Sequence, residues 1–325
     1  MTTKIADSNE SIKGTLFIHK KLKKIIGNFG IFFVLILLLI IGSFATPSFL
    51  TMTNIMNVFR QNSFIILMSC GITMLIISGQ TDLSAGAVCA FGGCVGIDIY
   101  IKTGSFILAF LSAILVGVVC GAINGIIATK FNVPSFIATL AMQIAARGAV
   151  LLYTGGQNIY NIGDIGQFGK GATPIYFAGV VCFLTWFVLS KTRYGRYLYA
   201  VGGNAEVALA SGVKAEMIRI DAYIVCSAIS AFTGVLLMGR LNSASPIAAN
   251  GYEFEAIIGA IIGGTSFHGG IGNIGGSIVG CLIVGFINNI LNLLGIQSYI
   301  HQVIKGFIIA FAVTYDINMR NRKSN

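Results

Sequence analysis

In the segment FINNILN, Asn288 and Asn292 stand at i and i+4, an amide-bearing stripe on one helix face with Asn289 beside it, inside a long apolar run. Amides so placed can hydrogen-bond the hydroxyls of a polar solute or join neighbouring helices, and Asn124, Gln143 and Gln302 present the same two alternatives. Arg147 lies about 20 Å along its helix from Pro134. An ionic group at such depth is costly and faces either an aqueous route or a paired acid, here Glu253 or Glu255; Lys305, some way into the last apolar run, carries the same choice. Asp82 follows the turn GQT and precedes LSAGAV, where it would cap the next helix, with Thr81 as competitor, or serve a gate. These residues suit the passage of a hydrophilic solute and no covalent step. No catalytic residue is assigned: Ser266 and His268 stand two apart on a turn, and a hydrolase would need a base reaching its serine across helices. His268 and His301 have no ligand-spaced partner, so no metal is expected, and without a GxxxxGK[ST] loop the chain binds no ATP of its own.

Long apolar helices must position these groups. Of 325 residues 55% are hydrophobic and 10% charged, whereas about a quarter of an average soluble domain is charged. Ten spans near 20 residues are expected at roughly 28–46, 55–78, 83–101, 105–128, 134–154, 174–190, 217–240, 252–265, 272–294 and 299–317. The eighth is short and reads as broken or tilted. Residues 1–27 form a basic tail, 28–317 the membrane domain and 318–325 a second tail. The net charge of +10 reflects basic residues on the cytoplasmic side and not nucleic-acid binding. With the N-terminus inside, fifteen basic residues fall on cytosolic segments, and only Arg60, Lys102, Lys170 and Arg240 outside, which places both termini in the cytosol. All seven cysteines fall within spans and are expected to be free thiols.

GAINGIIATKFNVPSFIATL (121–140) aligns with GFINNILNLLGIQSYIHQVI (285–304), matching Gly121 with Gly285, Ile123 with Ile287, Asn124 with Asn288 and Ser135 with Ser298. The copies begin on opposite sides in this topology, which predicts an inverted repeat. The fold class expected is therefore an all-α polytopic membrane protein of about ten transmembrane helices with an inverted internal repeat.

One stretch is not built for lipid: YGRYLYAVGGNAEVALASGV, 194–213, within a cytosolic loop 191–216. Asn204 reads as an N-cap, Glu206 favours the first turn and Gly212 stops the helix, which spans only seven or eight residues. So short a helix is marginal alone and needs a surface, either the body of its own protein or a cytosolic partner. For the partner, Ala205, Ala208 and Leu209 offer a small-residue face and Arg193, Arg196 and Lys214 a basic rim.

TRYGRYLYAVGGNAEVALASGV, GQTDLSAGAV, FIATLAMQIAARG, GYEFEAI and the run from GGTSFHGG to HQVIKG, in this order, resemble the ribose-type permease subunits of bacterial ATP-binding-cassette importers, from about Ile31 to Asp316. The resemblance implies a multi-pass protein of the bacterial inner membrane working with cytosolic ABC ATPase subunits that bind the ATP, a periplasmic sugar-binding protein and a second permease copy or paralogue. Ribose leads the implied substrates; other sugars, an autoinducer sugar and nucleosides stay open. It assigns ATPase coupling to the loop that holds Arg193, Gly195, Arg196, Gly202, Gly203, Asn204, Ala205, Glu206, Ala208, Leu209 and Gly212. The rival is an ion-coupled carrier, which would use intramembrane acids; here Asp98, Asp221, Glu253, Glu255 and Asp316 fall near helix ends. The candidate solute route comprises Asp82, Asn124, Gln143, Arg147, Asn288, Asn292 and Gln302.

Overall fold

The structure, a computed structural model, describes residues 30–297, 299–308, 310, 311 and 314; the expected tails 1–27 and 318–325, and Ser298 of the sequence repeat, lie outside them. Helices α1 (Gly30–Ala45), α2 (Met52–Ile77), α3 (Ala85–Thr103), α4 (Phe106–Thr129), α5 (Ser135–Thr154) and α6 (Thr173–Lys191) are followed by two short ones, α7 (Arg193–Gly203) and α8 (Ala205–Ala210). Then come α9 (Ala215–Leu241), α10 (Tyr252–Ile262), α11 (Ile274–Leu293) and α12, residues 299–308. A 3₁₀ segment, Gly163–Gly169, precedes α6. Among the described residues seven helices, α2, α3, α4, α5, α6, α9 and α11, are long and apolar enough to cross a membrane. The protein is thus an all-α polytopic membrane protein.

Burial separates an inner pair from an outer shell. The most apolar windows of α2 and α9 are 89% and 72% buried, against 28% or less for α4, α5 and α6. Apolar side chains surround α2 on every side, as a helix enclosed by other helices requires, and its few polar groups are satisfied within the bundle: Ser69 donates to Ala256 O at 3.1 Å and Thr73 to Ser277 Oγ at 2.8 Å. The outer helices instead turn Leu111, Leu115, Ile144 and Phe183 outward.

Between helices in lipid the hydrophobic drive is weak, so close backbone approach carries the association. Gly117, Gly121 and Gly125 place one edge of α4 on the α9 backbone: a Cβ at Gly121 would lie 2.6 Å from Tyr223 O. On α10 and α11, Gly259 and Gly263 mesh with Gly276 and Gly280, where an added Cβ would come within 2.0 Å of Gly263 O and Gly259 O respectively.

Two connections run non-helically inside the bundle. Residues 78–84 join α2 to α3, and 242–251 join α9 to α10. Irregular backbone in such a place must be buried in protein or line a cavity, with its polar groups satisfied. Here Ile159 and Ala244 exchange backbone hydrogen bonds of 2.9 and 2.8 Å, Arg147 serves Pro246 O and Ala248 O, and Tyr223 serves Thr81 O. The two connections bring the first turns of α3 and α10 together, since a Cβ on Gly86 would lie 2.5 Å from Ala249 O.

Candidate functional site

Asp82 sits at the centre of a buried polar knot. Its Oδ1 accepts from Ser84 N at 2.7 Å and Ser84 Oγ at 2.6 Å, and its Oδ2 from Ser227 Oγ of α9 at 3.3 Å; Asn124 of α4 donates to Ser84 Oγ at 3.0 Å. The expectation that Asp82 or Thr81 caps α3 is corrected: Ser84 holds the N-cap position, and its hydroxyl is drawn to Asp82, two residues before the helix. Thr81 is hydrogen-bonded to Ser135 at the start of α5, and Tyr223 donates to Gln80 Oε1 at 3.1 Å. Of the proposed route residues, this knot unites Asp82 and Asn124, and both are fully buried.

Gln143 and Arg147, one turn apart on α5, line a cleft of about 520 Å³ with Leu140, Ile144, Gly148, Ile247 and Asn250. That is room for a small solute. Arg147 donates from Nη1 to Pro246 O at 2.6 Å and Ala248 O at 3.0 Å, so the alternative of an ion pair with Glu253 or Glu255 is not what forms. Freed backbone carbonyls of the α9–α10 connection satisfy the guanidinium instead. Glu255 pairs with Lys305, and Asn288 donates to Glu255 Oε2 at 3.5 Å, so these two route and ion-pair candidates join helices α10, α11 and α12. Asn292 and Gln302 are exposed away from the cleft and join neither cluster.

Breaking a part-buried pair from one side strands a charge. Lys305→Met is expected to cost about 3 kcal/mol and the double change Lys305→Met, Glu255→Gln clearly less, measured as thermal unfolding in detergent. Equal loss in single and double variants would show that the pair is incidental.

Beyond α6 the chain builds a two-helix unit. Thr192 accepts from Gly195 N at 3.2 Å and starts α7, a helix not expected from the sequence; Leu198 and Val201 give it a buried face. Asn204 then caps α8 as expected, its Oδ1 accepting from Glu206 N and Val207 N at 3.0 Å each, and Gly212 stands at φ +83° just beyond the end. The small-residue face is corrected: Ala208 is turned inward, while Val207 and Leu209 are exposed. Arg193 and Arg196 are exposed beside them.

This unit is fastened to the end of α2 and to residues 263–273 before α11, and the end of α2 is itself bonded to that segment and to α9. Gly202 fits so closely against Ile77 that a Cβ would overlap its carbonyl, Gly270 N donates to Ile77 O at 2.9 Å, Tyr199 donates to Gly272 O at 2.7 Å, and Arg219 Nε reaches Ser78 O at 3.4 Å. Burial pushes the Tyr199 phenol above its ordinary pKa, which keeps it a donor. Tyr199, Arg219, Tyr223, Ser84, Ser227 and Asn250 were not singled out from the sequence; apart from Ser84, whose bonds to Asp82 are local, their roles arise from long-range packing that no local motif marks.

Several crossing helices, two irregular connections inside the bundle and a mainly apolar cleft carrying Gln143, Arg147 and Asn250 are the features of a membrane permease. Among the described residues no cluster suited to a metal ion occurs. Residues 54–313 match the family described as branched-chain amino acid transport system / permease component, and the chain belongs to that family. It is similar to the ribose import permease protein RbsC of Escherichia coli K12, 38% identical over 292 residues covering 87% of this chain and 91% of the relative. It also resembles RbsC of Bacillus subtilis 168, 39% identical over 88% of this chain and 92% of that one. The D-allose transport system permease protein AlsC of E. coli K12 is 36% identical over 89% and 91%. No solved structure matches the chain.

Proposed function

We propose that this chain is the membrane permease subunit of an ATP-binding-cassette importer for a monosaccharide, with ribose the first candidate. Its work is alternating access, not catalysis. Cytosolic ATPase subunits drive it, a periplasmic sugar-binding protein feeds it, and a second permease copy or paralogue completes it. Relatives named for ribose and allose support the substrate class. The observation that carries the mechanism is the α7–α8 unit: it presents Glu206, Val207 and Leu209 outward while Gly202 and Tyr199 tie its other side to the end of α2 and to the turn before α11. A push on α8 therefore reaches the Asp82 knot through residues 77–84.

The finer topology belongs to the same reading: ten crossings, both termini cytosolic, and two inverted halves in the bacterial inner membrane. Supporting it, α2, α3, α4 and α5 begin at 52, 85, 106 and 135, and α9, α10, α11 and α12 begin at 215, 252, 274 and 299, each roughly 165 residues later. Gly121 of α4 packs on α9, and its counterpart Gly285 of α11 packs on Asn62 of α2, the reciprocal arrangement that a two-fold relation demands. Arg60, Lys170 and Arg240, assigned outside, gather at the end remote from α7: Arg60 bonds Gly171 O, Lys170 bonds Asn242 and Arg240 lies over Phe64. Gln143 and Arg147 line the solute route; Asp82 and Asn124 support it.

The test is a cysteine at Leu209. Leu209→Cys should form a crosslink to the cassette ATPase in membranes, its yield changing with nucleotide, whereas a cysteine at lipid-facing Phe183 should not. No ATPase adduct at Leu209 or Val207 would overturn the coupling role.

A further inference from the structure

Glu253 lies in the first turn of α10, only 1% exposed, and among the described residues it has no ion-pair partner. Its Oε2 has no hydrogen-bond partner and abuts Gly86, where a Cβ would collide with it; its Oε1 accepts from Gln143 Nε2 at 3.4 Å. A buried, half-satisfied carboxylate is expensive, and apolar packing would be more stable. It touches one thing connected to the cleft, the side chain of Gln143.

That contact fixes which way an amide faces. Gln143 donates its NH₂ to Glu253 Oε1 at 3.4 Å, which leaves its own carbonyl Oε1 for the cleft. One turn along α5, Arg147 spends Nη1 on two backbone carbonyls and keeps Nε and Nη2 free of protein partners. The cleft wall so offers an acceptor beside a donor. Adjacent hydroxyls of a sugar complement that pair: one donates to Gln143 Oε1 while its neighbour accepts from Arg147.

We propose that Glu253 is a positioning residue of the solute route, holding Gln143 in the register that, with Arg147, recognises the vicinal hydroxyls of a neutral sugar. The inference rests on reading the cleft as part of that route.

The experiment uses the whole importer, with its ATPase and binding protein, in proteoliposomes and radiolabelled ribose as probe. In Glu253→Gln the new amide can donate or accept, so the register is lost: ribose moved per ATP is expected to fall about tenfold with ATP turnover unchanged. Combining Glu253→Gln with Gln143→Glu should recover most of it, because the introduced amide donates to the introduced carboxylate and an acceptor oxygen again faces the cleft. Unchanged ribose per ATP in Glu253→Gln, or an exchange variant no better than its parents, would overturn the assignment. Should Glu253→Gln fail to fold, half-buried Gln143→Met removes the same acceptor without touching the acid, and normal coupling in that variant overturns it equally. The route itself is read separately: Asn250→Cys should be modified, and transport blocked, by a charged methanethiosulfonate. An unreactive Asn250→Cys sinks the route and this inference with it, whereas block at Asn250→Cys with normal Glu253→Gln removes only the role of Glu253.

Discussion

Glu206→Arg is expected to reduce solute uptake at least about tenfold while leaving the protein inserted and folded. Glu206 is exposed in the first turn of a six-residue helix whose order comes from the Asn204 cap and from the packing of Ala208 beneath it. A cation at that end opposes the helix dipole by only about 0.3–1 kcal/mol, too little to unfold a domain held together elsewhere. At a contact with another protein the same reversal is worth about 2–5 kcal/mol, which is tenfold or more in occupancy. The two readings of α8, self-packed or partner-bound, therefore separate cleanly. Membrane abundance by immunoblot should match wild type, while uptake and co-purification of the ATPase fall together. Normal uptake with Glu206→Arg would mean that α8 merely lies on its own protein. Asn204→Ala, which removes two capping bonds while keeping Glu206, Val207 and Leu209, should give a partial loss, since it loosens the same helix by about 1 kcal/mol.

What the sequence disclosed, and what it withheld, divides by the range of the interactions. The apolar runs marked the seven described helices long enough to cross a membrane because lipid solvation acts on each segment alone, and the shortness of α10 showed in a run interrupted by GG at 263 and 264. The cap at Asn204 and the stop near Gly212 were legible for the same reason: both act within four residues. Facing was harder. A six-residue helix carries too few apolar positions to define a stripe, so Ala208 and Leu209 were put on one face when the fold turns them apart. The charge pairs were out of reach of any spacing rule. Glu253 and Glu255 are two residues apart on α10, and only the packing sends Glu255 to Lys305 and Glu253 to Gln143 while Arg147 takes the carbonyls between. The Asp82 knot draws on α3, α4 and α9, and Ser227 has no local mark distinguishing it from other serines in apolar helices.

That knot gives the second large effect. Gly121→Leu is expected to leave no correctly assembled protein. On α4 the glycine faces the α9 backbone with its would-be Cβ 2.6 Å from Tyr223 O, and backbone cannot rotate away as a side chain could. The added isobutyl group must therefore push α4 off α9. Overpacking alone costs about 1–3 kcal/mol, but the seam also carries Asn124 on one side and Ser227 on the other. Separating them withdraws one bond from Ser84 and one from the carboxylate of Asp82, and each buried polar atom left unpaired adds about 1–3 kcal/mol. Together these approach the entire stability of an ordinary domain, about 5–15 kcal/mol. Gly179→Leu is the matched control, for nothing lies within 4 Å of its Cβ position and it sits exposed on α6. Yield of monodisperse protein after detergent extraction reads the difference: wild-type yield for Gly179→Leu and almost none for Gly121→Leu. A Gly121→Leu protein that runs monodisperse with an unchanged unfolding temperature would show that α4 and α9 can part without opening the knot, and that Asp82 is held by α3 alone.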